Sequence, residues 1–223
     1  MRKKKAGRRE YKNTKIIISI LFLLVIFSTI LFSIILYPWL PSKIPSHWNT
    51  KGEVDDYMNK YTFFLMILGI ECGFFILYLL IPRIDPLARN IKDFRKEYDG
   101  LFSLLFAFVF YLYCITMLWS IGIRVPIKIV PILVGILFLY IGMVLPRIKK
   151  NWFIGIRTPW TLSSDYVWRK THKLGGLIFS IIGILFILTA IIDLSFTLVI
   201  ILTIVLICIP IIYSLVLYKG NKK

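Results

Sequence analysis

The sequence is poor in the side chains that build catalytic centres, metal sites and disulfides. Its 223 residues include two histidines, three cysteines and eleven acidic residues. It has no recognisable serine–histidine–aspartate or cysteine–histidine constellation and no glycine-rich phosphate loop. Cys72, Cys114 and Cys208 lie in apolar runs without C-x-x-C spacing, so we expect small buried hydrophobic side chains. We therefore expect no enzyme activity, no cofactor and no bound metal.

Long polar stretches are also scarce, because 58% of the residues are hydrophobic and the mean hydropathy is +0.80. Roughly 20 consecutive apolar residues form a helix that crosses the hydrocarbon core of a membrane. Six runs approach or exceed that length, which predicts an all-α integral membrane protein with six transmembrane helices. The first run is too long for a cleavable signal and lacks an A-x-A site, so we expect an uncleaved span. The runs are Ile16–Tyr37, Tyr61–Ile81, Leu101–Ile123, Ile127–Pro146, Gly175–Asp193 and Phe196–Leu217.

Acidic residues are few beside the 28 basic ones, and the net charge is +17. With six spans, 23 of the lysine and arginine residues fall on the side that holds both termini. The positive-inside rule makes that side the cytoplasm, so the N- and C-termini are predicted to be cytoplasmic. The same basic segments are expected to attract anionic lipids, which accounts for the charge without nucleic acid.

The runs and their connectors predict two membrane domains of unequal size. The first has two helices and a long external loop, and the second has four helices and a cytoplasmic connector. The external connections of the second domain are so short that its helices must form tight hairpins. The segments are a basic tail (1–15), the first domain (16–81) with its external loop (38–60), a basic cytoplasmic loop (82–100), the second domain (101–217) with its connector (147–174), and a tail (218–223).

The external loop is rich in proline and in turn-forming residues. Pro38, Pro41 and Pro45 fix the backbone at three points and favour extended structure. A turn is expected at Asn49–Gly52, where the glycine is free to adopt a positive φ. One histidine among irregularly spaced acids is a weak metal signal, so we expect a hydrogen-bonded cap at the membrane surface. These side chains are His47, Glu53, Asp55 and Asp56.

Glu71 is the eleventh residue of the second apolar run and is predicted to lie near mid-membrane. It stands between Gly69 and Gly73, a small-x-x-x-small pair that allows another helix to approach closely. Two interpretations stay open: a carboxyl group that responds to a proton or ligand, and a protonated side chain hydrogen-bonded across a helix contact. The run has no other charged residue, which favours the second interpretation.

The connector at residues 151–173, NWFIGIRTPWTLSSDYVWRKTHK, is unlike the plain polar hinge that usually joins membrane helices. Pro159 disfavours helical geometry at the residue before it, so residues 157–160 are predicted to be extended or turned. Arg157 suits a bidentate contact with a lipid phosphate or a partner carboxylate, and could stack on Trp160. Physical reasoning alone leaves two interpretations open, an interfacial anchor and a functional motif.

A helix is predicted to begin just after this turn. It is expected to lie along the lipid headgroups, with its indole rings inserted, and to bend at Gly175–Gly176 into the fifth span. His172 is expected to be an interfacial polar side chain. The candidate capping residues are Thr161, Ser163 and Ser164, with Asp165 in the first turn.

Two stretches of the sequence carry recognisable patterns. In the connector these residues are Asn151, Gly155, Arg157, Thr158, Pro159, Trp160, Thr161 and Trp168, and in the external loop they include Pro41, Pro45, His47, Trp48, Asn49, Gly52 and Asp56. The connector pattern resembles the signature of the SdpI-like immunity protein family. The loop pattern, LPxxIPxHWNxxGE, resembles the N-terminal membrane domain often associated with that family. The two patterns flank or overlap nearly all of the apolar runs.

The resemblance implies a protein of the bacterial plasma membrane that protects its own cell from a secreted peptide toxin. In the family's type system, the toxin-loaded protein also holds a cytoplasmic autorepressor at the membrane. A peptide toxin and an ArsR-like repressor are therefore the expected partners. On that model the external loop residues contact the toxin, and the connector residues serve signalling or a fold that both functions need.

Two other functions stay open. A small proton-coupled transporter would use Glu71 as a proton relay, although the sequence lacks the internal repeat common in transporters. A membrane scaffold would recruit a soluble partner through its basic loops. Proton-dependent uptake lost in Glu71→Gln would favour the transporter, and capture of a cytoplasmic partner without toxin would favour the scaffold.

Overall fold

The computed structural model describes residues 2–49, 52–126, 128–192 and 194–221. Over these residues, six helices are long and apolar enough to cross a membrane, which confirms the predicted fold class. The six are α1 (Arg2–Leu36), α2 (Lys60–Ile84), α4 (Arg95–Ser120), α5 (Ile129–Val144), α7 (Asp165–Ile191) and α8 (Phe196–Gly220). Shorter elements are β1 (Lys43–Trp48), β2 (Val54–Asn59), α3 (Ala88–Asp93), α6 (Pro159–Ser163) and 3-10 turns at Tyr37–Trp39 and Leu145–Arg147.

The spanning helices are longer than several of the apolar runs that predict them. Helix α1 continues back through the predicted basic tail, and α4 and α7 begin before the predicted starts of their spans. Polar residues can continue a helix beyond the hydrocarbon core, because water or headgroups solvate their side chains there. Some predicted positions lie outside the described residues: Thr50 and Lys51 of the turn, the run boundaries Ile127 and Asp193, and Met1, Lys222 and Lys223 of the tails.

Large apolar side chains remain exposed along the spanning helices. On α8, for example, Ile204, Val205 and Ile212 are 62%, 57% and 61% exposed. Lipid tails are as apolar as these side chains, so such exposure is compatible with a membrane setting. The expectation of three buried cysteines is wrong for Cys72 and Cys208, which are exposed on α2 and α8, while Cys114 is half-buried. Cysteine side chains are apolar enough to face lipid.

Met1–Tyr78 and Phe102–Val125 form one compact unit, which holds α1, the β-hairpin and most of α2 and α4. Aromatic rings join its helices: Phe22 of α1 stacks on Phe106 of α4 with ring centroids 4.0 Å apart, and meets the edge of Tyr78 at 5.1 Å. A second cluster packs the hairpin and its flanking segment onto the helices. Its buried members are Leu40, Ile44, Phe63, Phe64, Ile67, Val109, Tyr113 and Met117.

The β-hairpin lies within the predicted external loop. Strands β1 and β2 pair antiparallel, with register irregularities on either side of His47. The extended structure predicted around Pro45 is present, but the same prediction is wrong at Pro38, which lies in the 3-10 turn Tyr37–Trp39. Strand pairing was not predicted. Ile44 is fully buried and anchors the hairpin, and Trp48 meets Trp119 edge to face at 6.0 Å. At the base, the Lys60 ammonium group donates to the carbonyls of Tyr37 and Leu40 at 2.8 and 2.9 Å.

Leu79–Leu101 and Pro126–Lys223 form the second compact unit, in which α5 and α7 pack through small residues. A Cβ atom on Gly135 would lie 2.6 Å from the Gly183 carbonyl oxygen, and one on Gly176 would lie 2.7 Å from that of Gly142. No side chain fits at such separations, so glycine sets the closeness of this pair. Helix α8 packs on α7 around buried Ile178, Ile182, Phe186 and Val199.

Two expectations about glycine are wrong. Helix α7 runs as one helix from Asp165 through Gly175–Gly176, because the pair provides close packing against Pro146 and Ile156 instead of a bend. The Gly69/Gly73 pair has open space where a Cβ would stand, so no helix of the described chain approaches it. Close packing occurs instead between α5 and α7.

Candidate functional site

The connector between α5 and α7 is organised by one buried amide. Asn151 is fully buried, and its Oδ1 accepts hydrogen bonds from the backbone N–H groups of Phe153 and Ile154 at 2.9 and 2.6 Å. Its Nδ2 donates to the carbonyls of Lys149 and Ile154 at 3.0 and 2.9 Å. This single side chain therefore satisfies four backbone groups of a turn that has no regular secondary structure.

Gly155 and His172 form the next layer of the connector. Gly155 has φ +110°, and a Cβ there would collide with Nε2 of His172. That nitrogen accepts from the N–H of Ile156 at 3.0 Å, while Nδ1 lies 2.8 Å from the Trp168 carbonyl oxygen. A carbonyl only accepts, so Nδ1 carries the proton and the ring is the neutral tautomer. His172 is 1% exposed, which contradicts the expected interfacial position: tertiary contacts bury it against the connector.

Trp168 joins the connector to the end of α5. Its indole is 2% exposed and stacks on His172 with centroids 4.0 Å apart. Its Nε1–H donates to the Ile148 carbonyl at 2.8 Å. The expectation that this indole inserts among lipid headgroups is therefore wrong, because its polar atom finds a partner inside the protein.

Helix α6 begins with a capping box at Thr158, the residue before Pro159. Thr158 is extended, with φ −117° and ψ 161°, as predicted for a residue preceding proline. Its hydroxyl oxygen accepts from the Thr161 N–H at 3.1 Å, and its own N–H donates to the Thr161 hydroxyl oxygen at 2.8 Å. Pro159 occupies the first helical turn, where no N–H is needed, so the predicted extended or turned segment is present at Thr158 but the prediction is wrong for Pro159 and Trp160, which are helical. Of the candidate caps for the following helix, Ser164 caps α7 and Asp165 lies in its first turn.

Other signature side chains face outward. Arg157 is exposed, and its Nη1 donates to the Trp152 carbonyl at 2.6 Å. Pro159 is exposed and Trp160 is half-buried. The signature thus divides into a buried set that shapes the connector and an exposed set available to other molecules. The buried set is Asn151, Thr158, Thr161 and Trp168; Gly155 is partly buried against His172.

Sequence reasoning missed two residues of the 82–100 loop that hold the connector. Asp85 is 4% exposed; its Oδ2 accepts from the Trp152 N–H at 2.9 Å and its Oδ1 from the Leu87 N–H at 2.6 Å. Asn90 donates to the Lys150 carbonyl at 2.7 Å. An acidic residue just before a proline was the available signal. The two predicted cytoplasmic segments therefore contact each other.

A cleft opens beside the exposed set. Its volume is 280 Å³, and the connector forms one wall while α7 and α8 form the others. Pro210 interrupts the hydrogen-bond ladder of α8 at this level, because proline has no N–H to donate. The lining residues are Gly155, Ile156, Arg157, Thr158, Phe179, Ile207, Pro210 and Ile211.

The external-loop candidates form a hydrogen-bonded hairpin end. His47 Nδ1 lies 2.6 Å from Asp55 Oδ1, and Asn49 exchanges side-chain and backbone hydrogen bonds with Glu53 at 2.9–3.0 Å. Gly52 has φ +80°, the positive value expected in the turn. Asp56 accepts from the Tyr57 N–H. Among the described residues, no group of three or more histidine, cysteine or acidic side chains gathers into a candidate metal site. Of the two prolines, Pro41 is exposed and Pro45 is buried.

Glu71 is fully buried among α1, α2 and α4. Thr29 of α1 donates its hydroxyl to Oε1 at 2.9 Å, which is the helix-to-helix hydrogen bond of the second interpretation. Close by on α1, Ser33 lies 3.2 Å from the Tyr113 hydroxyl of α4. The other carboxyl oxygen, Oε2, is buried and has no hydrogen-bond partner in the part of the chain that the structure describes.

The six spanning helices and the folded connector define a multi-pass plasma membrane protein. Residues 147–214, which hold the connector, α7 and most of α8, match the SdpI/YfhL protein family, which confirms the resemblance carried by the connector signature. Residues 24–70 match a domain of unknown function, DUF1648. Immunity protein SdpI of Bacillus subtilis (strain 168) is 29% identical over 173 residues, which cover 76% of this chain and 78% of that protein. No solved structure matches significantly.

Proposed function

We propose that this protein protects its cell from a secreted antimicrobial peptide. The observation that carries the proposal is the similarity to immunity protein SdpI, which extends over 76% of this chain and 78% of the relative. Residues 147–214, which hold the connector, α7 and most of α8, also match the SdpI/YfhL protein family. An enzymatic role has no support from the side chains gathered in the described part of the chain.

We infer that the β-hairpin end and the preceding turn are the toxin-facing surface. They present aromatic side chains, with Trp39 80% exposed and Tyr57 55% exposed. They also present the exposed carboxylates of Glu53, Asp55 and Asp56. Such a surface suits an amphipathic, basic peptide that partitions into the outer face of the plasma membrane, because the surface offers both aromatic contact and opposite charge.

The finer part of the proposal is that the connector also receives a soluble partner, an ArsR-like repressor. The exposed Arg157, the half-buried Trp160 and the nearby basic side chains of α7 would supply the contact. Arginine and tryptophan are the residue types that most often dominate such interfaces. The buried residues Asn151 and Trp168 would serve this role only by shaping the surface.

Survival under challenge tests the proposal. The full chain, Arg157→Ala, Trp160→Ala and Tyr57→Ala are expressed in a toxin-sensitive bacterium at matched membrane levels, with Arg89→Ala as an exposed control on α3. Sporulation-delaying peptide is added, and survival and a repressor-controlled reporter are measured. We expect Tyr57→Ala to lower survival, and Arg157→Ala and Trp160→Ala to abolish reporter induction. If cells that express the wild-type chain die as fast as cells with an empty vector, the immunity proposal is overturned.

A second candidate function, proton-coupled transport, has one observation in its favour. The buried Oε2 of Glu71, which has no hydrogen-bond partner among the described residues, is a group that could hold a proton near mid-membrane. Proton-dependent uptake that disappears in Glu71→Gln would support the transporter. Unchanged uptake in that variant would remove the one structural reason for it.

A further inference from the structure

The cleft beside Arg157 combines a charged mouth with an apolar floor. Its mouth is formed by the connector residues 155–158, and its floor by Phe179 of α7 with Ile207, Pro210 and Ile211 of α8. Ile211 is 41% exposed, so the apolar wall is open to the surroundings of the helix pair. Ile211 lies nine residues before the end of α8 at Gly220, about 14 Å along the helix axis at 1.5 Å per residue.

The mouth of the cleft lies nearer the basic end of α8 than the floor does. Thr158 at the mouth lies 3.2 Å from Ser214, on the Lys219 side of Ile211, whereas Ile207 and Ile211 lie deeper within the apolar run. The apolar floor therefore faces hydrocarbon tails. A water-soluble ligand would meet only the mouth, while a lipid reaches both.

The charge at the mouth is not neutralised by the protein. The segment 147–173 carries seven basic side chains, and three of them are paired: Arg147 with Glu97 at 3.7 Å, Lys149 with Asp93 at 2.8 Å and Lys150 with Asp165 at 2.6 Å. The other four have no carboxylate partner among the described residues and are exposed. They are Arg157, Arg169, Lys170 and Lys173.

The Trp152 carbonyl uses only part of the hydrogen-bond donor capacity of Arg157. One N–H of its guanidinium group is used by the Trp152 carbonyl at 2.6 Å. That bond orients the side chain, and a guanidinium group has five N–H donors in all. The remaining donors form a fork suited to a phosphate oxygen pair.

We propose that this cleft is a binding site for an anionic phospholipid. The lipid phosphate accepts hydrogen bonds from Arg157, and the exposed basic side chains of α7 add to the positive charge of this part of the protein. An acyl chain lies along Ile207, Pro210 and Ile211. The site is independent of the immunity proposal, because lipid binding is measured without toxin and requires no repressor.

Photolabelling of the full chain tests the site. The protein is reconstituted in phosphatidylcholine vesicles that contain a small fraction of phosphatidylglycerol with a diazirine on one acyl chain. After irradiation, labelled peptides are quantified by mass spectrometry. We expect label on the α8 peptide that contains Ile207–Ile211, and about five-fold less of it in Arg157→Gln, which is the effect of losing one basic contact at the membrane surface. Arg89→Gln removes an equal charge from α3 and is expected to retain full labelling.

Two further arms test the net charge of the lipid and the position of its acyl chain. A diazirine phosphatidylcholine probe should label α8 weakly and to the same extent with and without Arg157. Ile207→Trp fills the cleft while keeping Arg157, and should lose the phosphatidylglycerol label although its thermal unfolding midpoint is unchanged. Equal labelling by the two lipids, full labelling of Arg157→Gln, or removal of the label by soluble glycerol phosphate would each overturn the proposal.

Discussion

Replacing Gly155 with alanine should destabilise the connector by about 2–5 kcal/mol. The glycine has φ +110°, and forcing an L-residue to a positive φ costs roughly 1–2 kcal/mol. The new Cβ would also collide with His172 Nε2, and such overpacking costs about 1–3 kcal/mol. Because that nitrogen holds the Ile156 N–H, its displacement removes a buried hydrogen bond as well.

The assay is unfolding of the purified chain in detergent, followed by tryptophan fluorescence as a denaturing detergent is added. Trp168 stacks on His172, so its emission reports this part of the fold. Gly73→Ala is the matched control, since a Cβ there meets open space within α2 and should change stability by less than about 0.5 kcal/mol. Combining Gly155→Ala with His172→Ala tests the collision itself. The double variant should lose less than the sum of the single losses, because the collision is shared.

The reasoning would be refuted by a Gly155→Ala protein that unfolds at the same point as Gly73→Ala. Strict additivity in the double variant would be a narrower failure. In that case backbone strain at residue 155 would still explain the loss of stability, but the collision with His172 would not.

Three other variants test the remaining contacts. Asn151→Ala removes a fully buried side chain with four hydrogen bonds, and should lower the free energy of unfolding by about 2–4 kcal/mol in the same assay. A smaller loss than that of Trp152→Ala, a change at an exposed side chain, would contradict the role of Asn151 in organising the connector. Gly142→Val should force α5 and α7 apart and lower the thermal midpoint, whereas Gly69→Val should leave it nearly unchanged because that glycine faces open space. Glu71→Gln keeps an acceptor for Thr29 and should change stability by less than about 1 kcal/mol, whereas Glu71→Lys buries a charge and should cost more than about 3 kcal/mol. Equal stability of the two Glu71 variants would show that the side chain is not buried.

Some local features of the connector and the hairpin follow from single residues. Pro159 keeps Thr158 extended through steric contact with its neighbour, and Ser164 caps α7 through its own side chain. The positive φ of Gly52 likewise follows from a short turn between extended segments. These effects act over a few residues, so the sequence is sufficient to predict them.

The contacts that shape the candidate site are not of this kind. His172 has the same local sequence environment whether it faces headgroups or is enclosed by Gly155 and Trp168. Asp85 and Asn90 reach the connector from a loop some 60 residues earlier in the chain. Nothing local distinguishes these partners from the other polar residues of the basic segments.

The sequence by itself determined that the described part of the chain forms six helices long and apolar enough to span a membrane, since a backbone in hydrocarbon must satisfy its own hydrogen bonds and long apolar runs do so as helices. Only the tertiary structure decided which helix faces meet. Gly69 and Gly73 resemble a packing pair but face open space, whereas the glycines of α5 and α7 form the close contact. In a membrane both lipid and protein interior are apolar, so hydrophobicity does not distinguish the two faces. Shape complementarity and buried hydrogen bonds between distant segments decide the arrangement instead.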